Sequence, residues 1–356
     1  MTCLTLTAAA CGTSPTSAPE GVALGLDNAA SPRIIRGTPS GTDQDSVVMI
    51  AIWHDGVRVG ICTGSVIAPT LVLTARHCVS FEGPGNTLKG DRTPGDLDVR
   101  VGGGAATGLD DRATATAKGK RLFVPEADTV FNADLAVIEV DRAMTVEAAP
   151  LRLGADVAVG EELTLVGWGA TDNGKLPTAR MQRTGVKVQA VGTAASTSDF
   201  DVGADEFRIG EGTCFGDSGG PSLSSRTGAI VGIVSRGGNG IQDPNDVAAA
   251  CVGPNVADVH TMVARFRPIL DNAFKATGAT PRPEPAAPDP PDEGCAVTGT
   301  PTSTGAAGHV ALAALASAVV RRRLRRARPS RARGARARRP RPGRARPSWD
   351  RSRSAA

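Results

Sequence analysis

The 356-residue chain contains no tyrosine, and phenylalanine and tryptophan together make up only 3% of it. Its core must therefore be built mostly from Val, Leu, Ile and Ala, which the 40% hydrophobic content supplies. None of the seven cysteines forms a C-x-x-C pair, which argues against a zinc ribbon or a thioredoxin-like redox site. Histidine is scarce, with only His54, His77, His260 and His309. The apolar run Ala306 to Val320 has fifteen residues, short of the roughly 20 that a bilayer-spanning helix needs. No carboxylate cluster has convincing calcium-loop spacing, Asp91 to Asp98 being the nearest approach, so neither a metal nor a cofactor is expected. No internal repeat of fixed period is visible.

The formal net charge of +4 hides an asymmetry. Sixteen of the 40 basic residues lie between Arg321 and Arg353, where Asp350 is the only acid. The first 320 residues thus carry 24 basic and 35 acidic side chains, a net of −11. In the arginine block no aromatic residue except Trp349 is interleaved for base stacking, so nucleic acid is not an expected partner.

Both ends differ in character from the middle. Residues 1–33 begin with M-T-C-L-T-L-T-A-A-A-C and continue rich in Ser, Thr and Pro. Small residues before Cys11 resemble the end of a bacterial lipoprotein signal, although no positively charged segment precedes them; a truncated ordinary export signal fits too. Residues 277–294 are rich in proline and should form an extended, semi-rigid linker without a core of its own. In residues 295–328, Cys295, the short apolar run and an arginine cluster follow in the order seen in C-terminal sorting signals of myxobacterial surface proteins. Residues 329–356 read as an Arg-rich disordered tail, or as a translated extension without function.

Between these ends, residues 34–276 alternate short β-like runs with turns rich in Gly, Asp, Asn and Pro. The clearest runs are Val47 to Trp53, Val57 to Thr63, Ser65 to Ile67, Leu71 to Thr74, Val99 to Gly102, Leu135 to Val140, Leu163 to Gly167, Val186 to Val191 and Ala229 to Ser235. Many short strands at this spacing imply an all-β sandwich or barrel. One helix is expected over Thr261 to Ala276, where Val263, Phe266, Leu270 and Phe274 form one apolar stripe. His260 would open it. Four cysteines in this region suit two disulfides and an oxidising compartment.

Three stretches carry chemistry. Glu211 to Pro221 reads E-G-T-C-F-G-D-S-G-G-P. Its glycines allow a tight turn on which backbone amides converge beside the Ser218 hydroxyl, a geometry that suits an oxyanion hole next to a nucleophile. Thr74 to Cys78 reads T-A-R-H-C, and a Cys62–Cys78 bridge could hold His77 in place. Asn132 to Val140 reads N-A-D-L-A-V-I-E-V, which sets Asp134 at the mouth of an apolar strand, costly for a carboxylate without a partner. Taken singly, these could be a surface turn, a structural histidine and a strand cap.

Together, in the order His, Asp, Ser, they resemble the trypsin/chymotrypsin-like serine proteases. The resemblance spans residues 34–275. It implies two six-stranded Greek-key β-barrels with a C-terminal helix, and endopeptidase activity on polypeptides. By resemblance, Ser218 attacks the carbonyl, His77 moves the proton, Asp134 orients the imidazole, and the N–H groups of Gly216 and Ser218 form the oxyanion hole. Pro32 to Gly37 resembles the family's activation site. An activating protease would cut after Arg33, and the new amine of Ile34 would pair with Asp217. Val166 to Gly169 matches its G-W-G stretch, and Gly232 to Ser235 its substrate-binding strand, with Ser235 seating Asp134. Cys214 and Cys251 match the disulfide beside the specificity pocket.

At the pocket base, six residues before Ser218, stands Gly212 rather than an acid, so cleavage after Lys or Arg is not supported there. Gly237 leaves one wall open, Asn255 takes a place where the family often has glycine, and Arg236 replaces the usual aromatic. A small or medium apolar side chain is the expected preference. The whole reads as an exported monomer, at the cell surface or outer membrane or extracellular, with membrane or surface anchoring through Cys11 or the tail. A catalytically silent, surface-displayed binding module on the same fold is the alternative, and an anchored structural protein a third reading.

Overall fold

Nearly every strand expected from the alternation forms, and the strands divide into two sheet systems that meet at one cleft. The structure is a computed structural model that describes residues 34–171, 175–176, 178–197, 201–243 and 245–288. Arg33, Cys11, Cys295, the apolar run and the arginine block lie outside the described residues.

Sixteen strands and one α-helix are present among the described residues: β1 (Thr38–Pro39), β2 (Val47–His54), β3 (Val57–Ala68), β4 (Leu71–Thr74), β5 (Ser80–Gly83), β6 (Thr87–Asp91), β7 (Leu97–Arg100), β8 (Ala117–Phe123), β9 (Ala136–Val140), β10 (Glu162–Gly167), β11 (Met181–Lys187), β12 (Ala190–Val191), β13 (Glu206–Ile209), β14 (Pro221–Ser224), β15 (Ile230–Gly238), β16 (Ala257–Met262) and α1 (Arg267–Thr277). The two runs expected around Gly64 merge into the single strand β3. Asp55 and Gly56 join β2 to β3 with φ of 49° and 77°, both left-handed, as a two-residue hairpin turn that follows strand twist requires.

The first system is a closed barrel of six strands in the order β2-β3-β4-β9-β8-β7. The second is an antiparallel sheet in the order β1-β11-β10-β14-β15-β16-β13-β12. Its terminal strands β1 and β12 have two residues each. Without them six strands remain, the number expected for the second barrel, but no ladder joins its two ends among the described residues. The β5–β6 hairpin stands apart from both.

The helix starts later than its apolar stripe suggests. Residues 258–261 pair with β13, and Val259 and Thr261 are β-branched, so tertiary pairing claims them for β16. Val263–Phe266 then form a 3₁₀ turn, and Pro268 in the first turn of α1 sets its start. His260 is accordingly a fully buried strand residue, its ring against Phe207 and its Nδ1 2.6 Å from Ser222 Oγ. Leu270, Ala273 and Phe274 pack into the main core with Val137, Ile138 and Val140 of β9. Burial of each large side chain there contributes about 1.5–3 kcal/mol. Gly278, at φ 69°, caps the helix C-terminus.

Thr277 closes α1, and the described remainder of the proline-rich stretch, residues 278–288, is pinned to the protein. Leu151 N–H donates to Arg282 O, and Glu284 N–H to Leu151 O. Arg152 forks onto Glu284 at 2.7 and 2.6 Å, and Thr227 Oγ1 donates to the same carboxylate. Composition gave no sign of this pairing, which runs through Glu284, an acid among the prolines.

Candidate active site

Antiparallel pairing of β4 with β9 sets Thr74 opposite Ala136. His77, just past one strand, and Asp134, just before the other, therefore emerge at the same barrel rim. The Cys62–Cys78 disulfide forms and ties the 3₁₀ turn carrying His77 back to β3. His77 Nδ1 lies 2.8 Å from Asp134 Oδ2, and the His77 backbone N–H donates to Asp134 Oδ1 at 2.9 Å. From the other sheet system, Ser235 Oγ donates to Asp134 Oδ2 at 2.6 Å. Asp134 is fully buried. Burial disfavours its charge, but the His77 ring and the hydrogen bonds from His77 and Ser235 outweigh that and hold the carboxyl below its ordinary value. Burial likewise disfavours the imidazolium, yet Asp134, with help from Glu82, lifts His77 above 6.5.

Ser218 sits on the turn that leads into β14. Gly216, at φ 96°, and Gly219, at φ 77°, bend it through left-handed conformations that favour glycine. The Asp217 N–H bonds to Cys214 O, and Gly220 N–H to Asp217 O. The N–H groups of Gly216 and Ser218 donate to no acceptor among the described residues, so both remain available to an oxyanion. Ser218 Oγ makes no hydrogen bond to His77, although both line one cavity of about 260 Å³.

Thr63 holds this turn against the first barrel, a role that no motif signals. Its N–H donates to Ser218 O at 2.9 Å and its Oγ1 to Gly216 O at 2.8 Å. Trp168 N–H, from the expected G-W-G stretch, donates in turn to Thr63 Oγ1. A threonine inside β3 reads as ordinary strand sequence, and only the meeting of the two sheets reveals the contact.

The cavity wall includes Phe215, Arg236 and Gly237, with the Cys214–Cys251 disulfide beside them. Two acids line it, Glu82 of β5 and Asp258, the second residue of β16. Asp258 Oδ2 accepts from Thr213 N–H at 2.8 Å and Thr213 Oγ1 at 2.9 Å. Burial pushes its carboxyl up to about 7, against the pull of the Thr213 and Gly212 donors and of Arg183. Gly212 is buried next to this acid. Asn255, by contrast, is exposed and lines no part of the cavity. The residue that lines the cavity after Cys251 is Asp258, three positions beyond Asn255, where the chain has entered β16.

Among the described residues, the one group of potential metal ligands is Cys62, His77 and Cys78, and both cysteines are disulfide-bonded. Asp91, Asp96 and Asp98 pair with Arg76 or Arg112 instead of converging on an ion site. Ile34 and Ile35 are buried, and Ile35 packs with Ala170, Cys214 and Cys251. No hydrogen bond joins Ile34 to Asp217. The Asp217 carboxylate accepts only the N–H groups of Gly169, at 2.8 Å, and Cys214, at 3.0 Å, among the described residues. Burial pushes it up to about 7 as well, with Asp258 adding to the rise.

A family model described as Trypsin matches residues 35–263. The chain belongs to the trypsin family. A trypsin from Phaedon cochleariae is 28% identical over 225 residues, covering 58% of this chain and 76% of that protein. Brachyurin from Leptuca pugilator is 31% identical over 231 residues, covering 62% of this chain and 89% of that one. Among solved structures, neuropsin, a serine protease expressed in the limbic system of mouse brain, superposes with a TM-score of 0.51 at 18% identity. That match covers 68% of this chain and 100% of neuropsin, and it supports the fold alone. Membership places the chain among the trypsin-like serine proteases, a family that acts on polypeptides. Among the described residues, no helix is long and apolar enough to cross a membrane.

Proposed function

We propose that this trypsin-family chain is an active serine endopeptidase in which Ser218 forms the acyl-enzyme, His77 acts as general base and then acid, and Asp134 fixes the imidazole tautomer. The observation that carries the reading is the chain Ser235–Asp134–His77, ending in the cavity that Ser218 shares, with the open N–H groups of Gly216 and Ser218 beside it. The missing Ser218–His77 hydrogen bond is in keeping with a site that tightens only around substrate. Stoichiometric labelling by an active-site serine phosphonate, lost in Ser218→Ala, is the expected result. A folded, activated protein that takes up no label would instead be a silent binding module.

The chain is made as a zymogen cleaved after Arg33. Asp217 is buried with backbone donors only, and no cation faces it among the described residues, so the charge of a new Ile34 amine would find an unmatched carboxylate. Replacing Arg33 with Gln should leave the protein inactive after treatment with a trypsin-like protease; full activity of the uncleaved variant would refute the scheme. Export to an oxidising compartment is supported by the two disulfides.

Gly212, expected at the pocket base, is packed behind the cavity against Leu165 and Ile209, and Asp258 of β16 reaches the cavity instead. We infer a mixed preference. A neutral Asp258 admits apolar side chains, as expected from Gly212, and its ionised form also admits Lys or Arg. Peptide-library profiling tests this, and strict exclusion of Lys and Arg at alkaline pH would contradict it.

A further inference from the structure

We propose that Arg236 and Glu206 form a clamp that holds the loop before Asp134 in place, which makes Arg236 a positioning residue for hydrolysis. The proposal rests on the His77–Asp134–Ser218 reading above. Glu206 opens β13 and is fully buried. Its Oε1 accepts from Arg236 Nη1 at 2.6 Å and from the Asn132 backbone N–H at 2.8 Å. Its Oε2 accepts from Arg236 Nη2 and from Gly203 N–H, both at 2.7 Å. The guanidinium thus binds in a parallel fork, which lysine cannot reproduce.

Asn132 stands two residues before Asp134, on the first-barrel loop between β8 and β9. Its φ of 56° is left-handed, uncommon outside glycine and in need of support from its surroundings. That support comes from the second sheet. Besides the bond to Glu206, Asn132 Oδ1 accepts from Asp205 N–H at 2.6 Å, and its Nδ2 donates to Asp205 Oδ2 at 3.2 Å. A side chain at Gly203 would collide with Asn132. Phe131 lies over the Arg236 guanidinium at 5.4 Å and completes the layer.

Arg236 directly follows Ser235, the donor to Asp134. One end of β15 therefore reaches Asp134 twice, once through the Ser235 hydroxyl and once through Arg236, Glu206 and Asn132. A buried ion pair is often no better for stability than packed apolar residues. What this one adds is a fixed register between two edges that belong to different sheets, at the point where the imidazole partner must be held.

The test uses the full chain after activation, with active sites titrated by the phosphonate so that unfolded protein does not count. Arg236→Lys keeps the cation and loses the fork. Arg152→Lys is the control, because it breaks the comparable fork onto Glu284, which lies outside the cleft. We expect kcat per titrated site to fall roughly tenfold in Arg236→Lys, as loss of positioning does, with KM for a short peptide nearly unchanged. In Arg152→Lys, Tm should fall and titrated kcat should stay. Should Arg236→Lys not fold, Asn132→Gly keeps the left-handed backbone, removes only the ties to Asp205, and should lower kcat severalfold. Unchanged titrated kcat in the variants that fold would overturn the clamp. A wild-type chain that never labels would overturn the triad reading instead.

Discussion

Asp258 lies beside Gly212: a Cβ built on Gly212 would run into Leu165 Cδ1 at 2.7 Å and Ile209 Cδ1 at 3.1 Å, with Asp258 Oδ2 next at 3.8 Å. Asp258 thus reaches the cavity from β16, not from the turn that carries Ser218. That placement makes the acid deeply buried, close to Asp217, and hydrogen-bonded to Thr213.

Preference at the cleavage site should therefore vary with pH. The groups that bear on the Asp258 carboxylate are the donors of Thr213 and Gly212, the Arg183 cation and the Asp217 carboxylate. With its carboxyl raised to about 7, Asp258 gains charge as pH rises through neutrality. The ratio of kcat/KM for a Lys substrate over a Leu substrate should climb roughly tenfold from pH 6 to pH 8, as titration of one such group dictates. Taking the ratio cancels the titration of His77. Asp258→Asn should flatten the profile, and a ratio independent of pH in the parent enzyme would count against the assignment.

The acid limb of kcat/KM should reflect His77. Only the neutral imidazole can accept the Ser218 proton, so activity falls as pH drops through a value above 6.5, since Asp134 lifts the imidazolium. Asp134→Asn should move that limb to lower pH and reduce kcat by about 10⁴-fold, the magnitude typical of this change in Ser-His-Asp enzymes. Rates measured across pH 5–9 on both proteins check it.

Stability of the uncleaved chain should decline as pH rises from about 4 to 7. Asp217 has a folded value near 7, above its unfolded one of 3.8. Between those values the folded state holds a proton that the unfolded state has lost, so alkali favours unfolding. An ammonium supplied by cleavage would keep Asp217 ionised and remove this contribution. Thermal melts of Arg33→Gln and of the cleaved protein at pH 5 and pH 8 should differ in that sense.

The pinned C-terminal segment should contribute to the stability of the protease region. Ending the chain at Thr280 keeps the helix cap and removes Arg282 and Glu284, with the fork to Arg152 and the bond from Thr227. Such charge-assisted bonds contribute about 1–3 kcal/mol, so Tm should fall by roughly 3–6 °C relative to a chain ending at Pro288. Glu284 is held below its ordinary value by Arg152, against burial. The difference between the two truncated chains should persist above the usual carboxylate range and vanish as pH falls through the lowered value of Glu284. Equal melting temperatures at neutral pH would show the segment to be dispensable.

How much was legible depended on where the information resides. Ser218, His77 and Asp134 lie in short local motifs whose residue types have one demanding use in common, and both cysteine pairs and most strands could be read beside them. Asp258, Thr63 and Glu206 carry no local signal, since each reads as an ordinary residue in a strand. Their significance comes from register: β16 against β13 and β15 sets Asp258 under the cavity and turns the expected start of a helix into strand, and the meeting of two sheets brings Thr63 to the Ser218 turn and Glu206 to Asn132. By itself the sequence determined the family and the fold class, and it singled out the proposed reacting groups, because those follow from local pattern. Only the tertiary structure decided that Asp258 lines the cavity and what holds Asp134, because a buried charge acquires its role from partners far away in the chain.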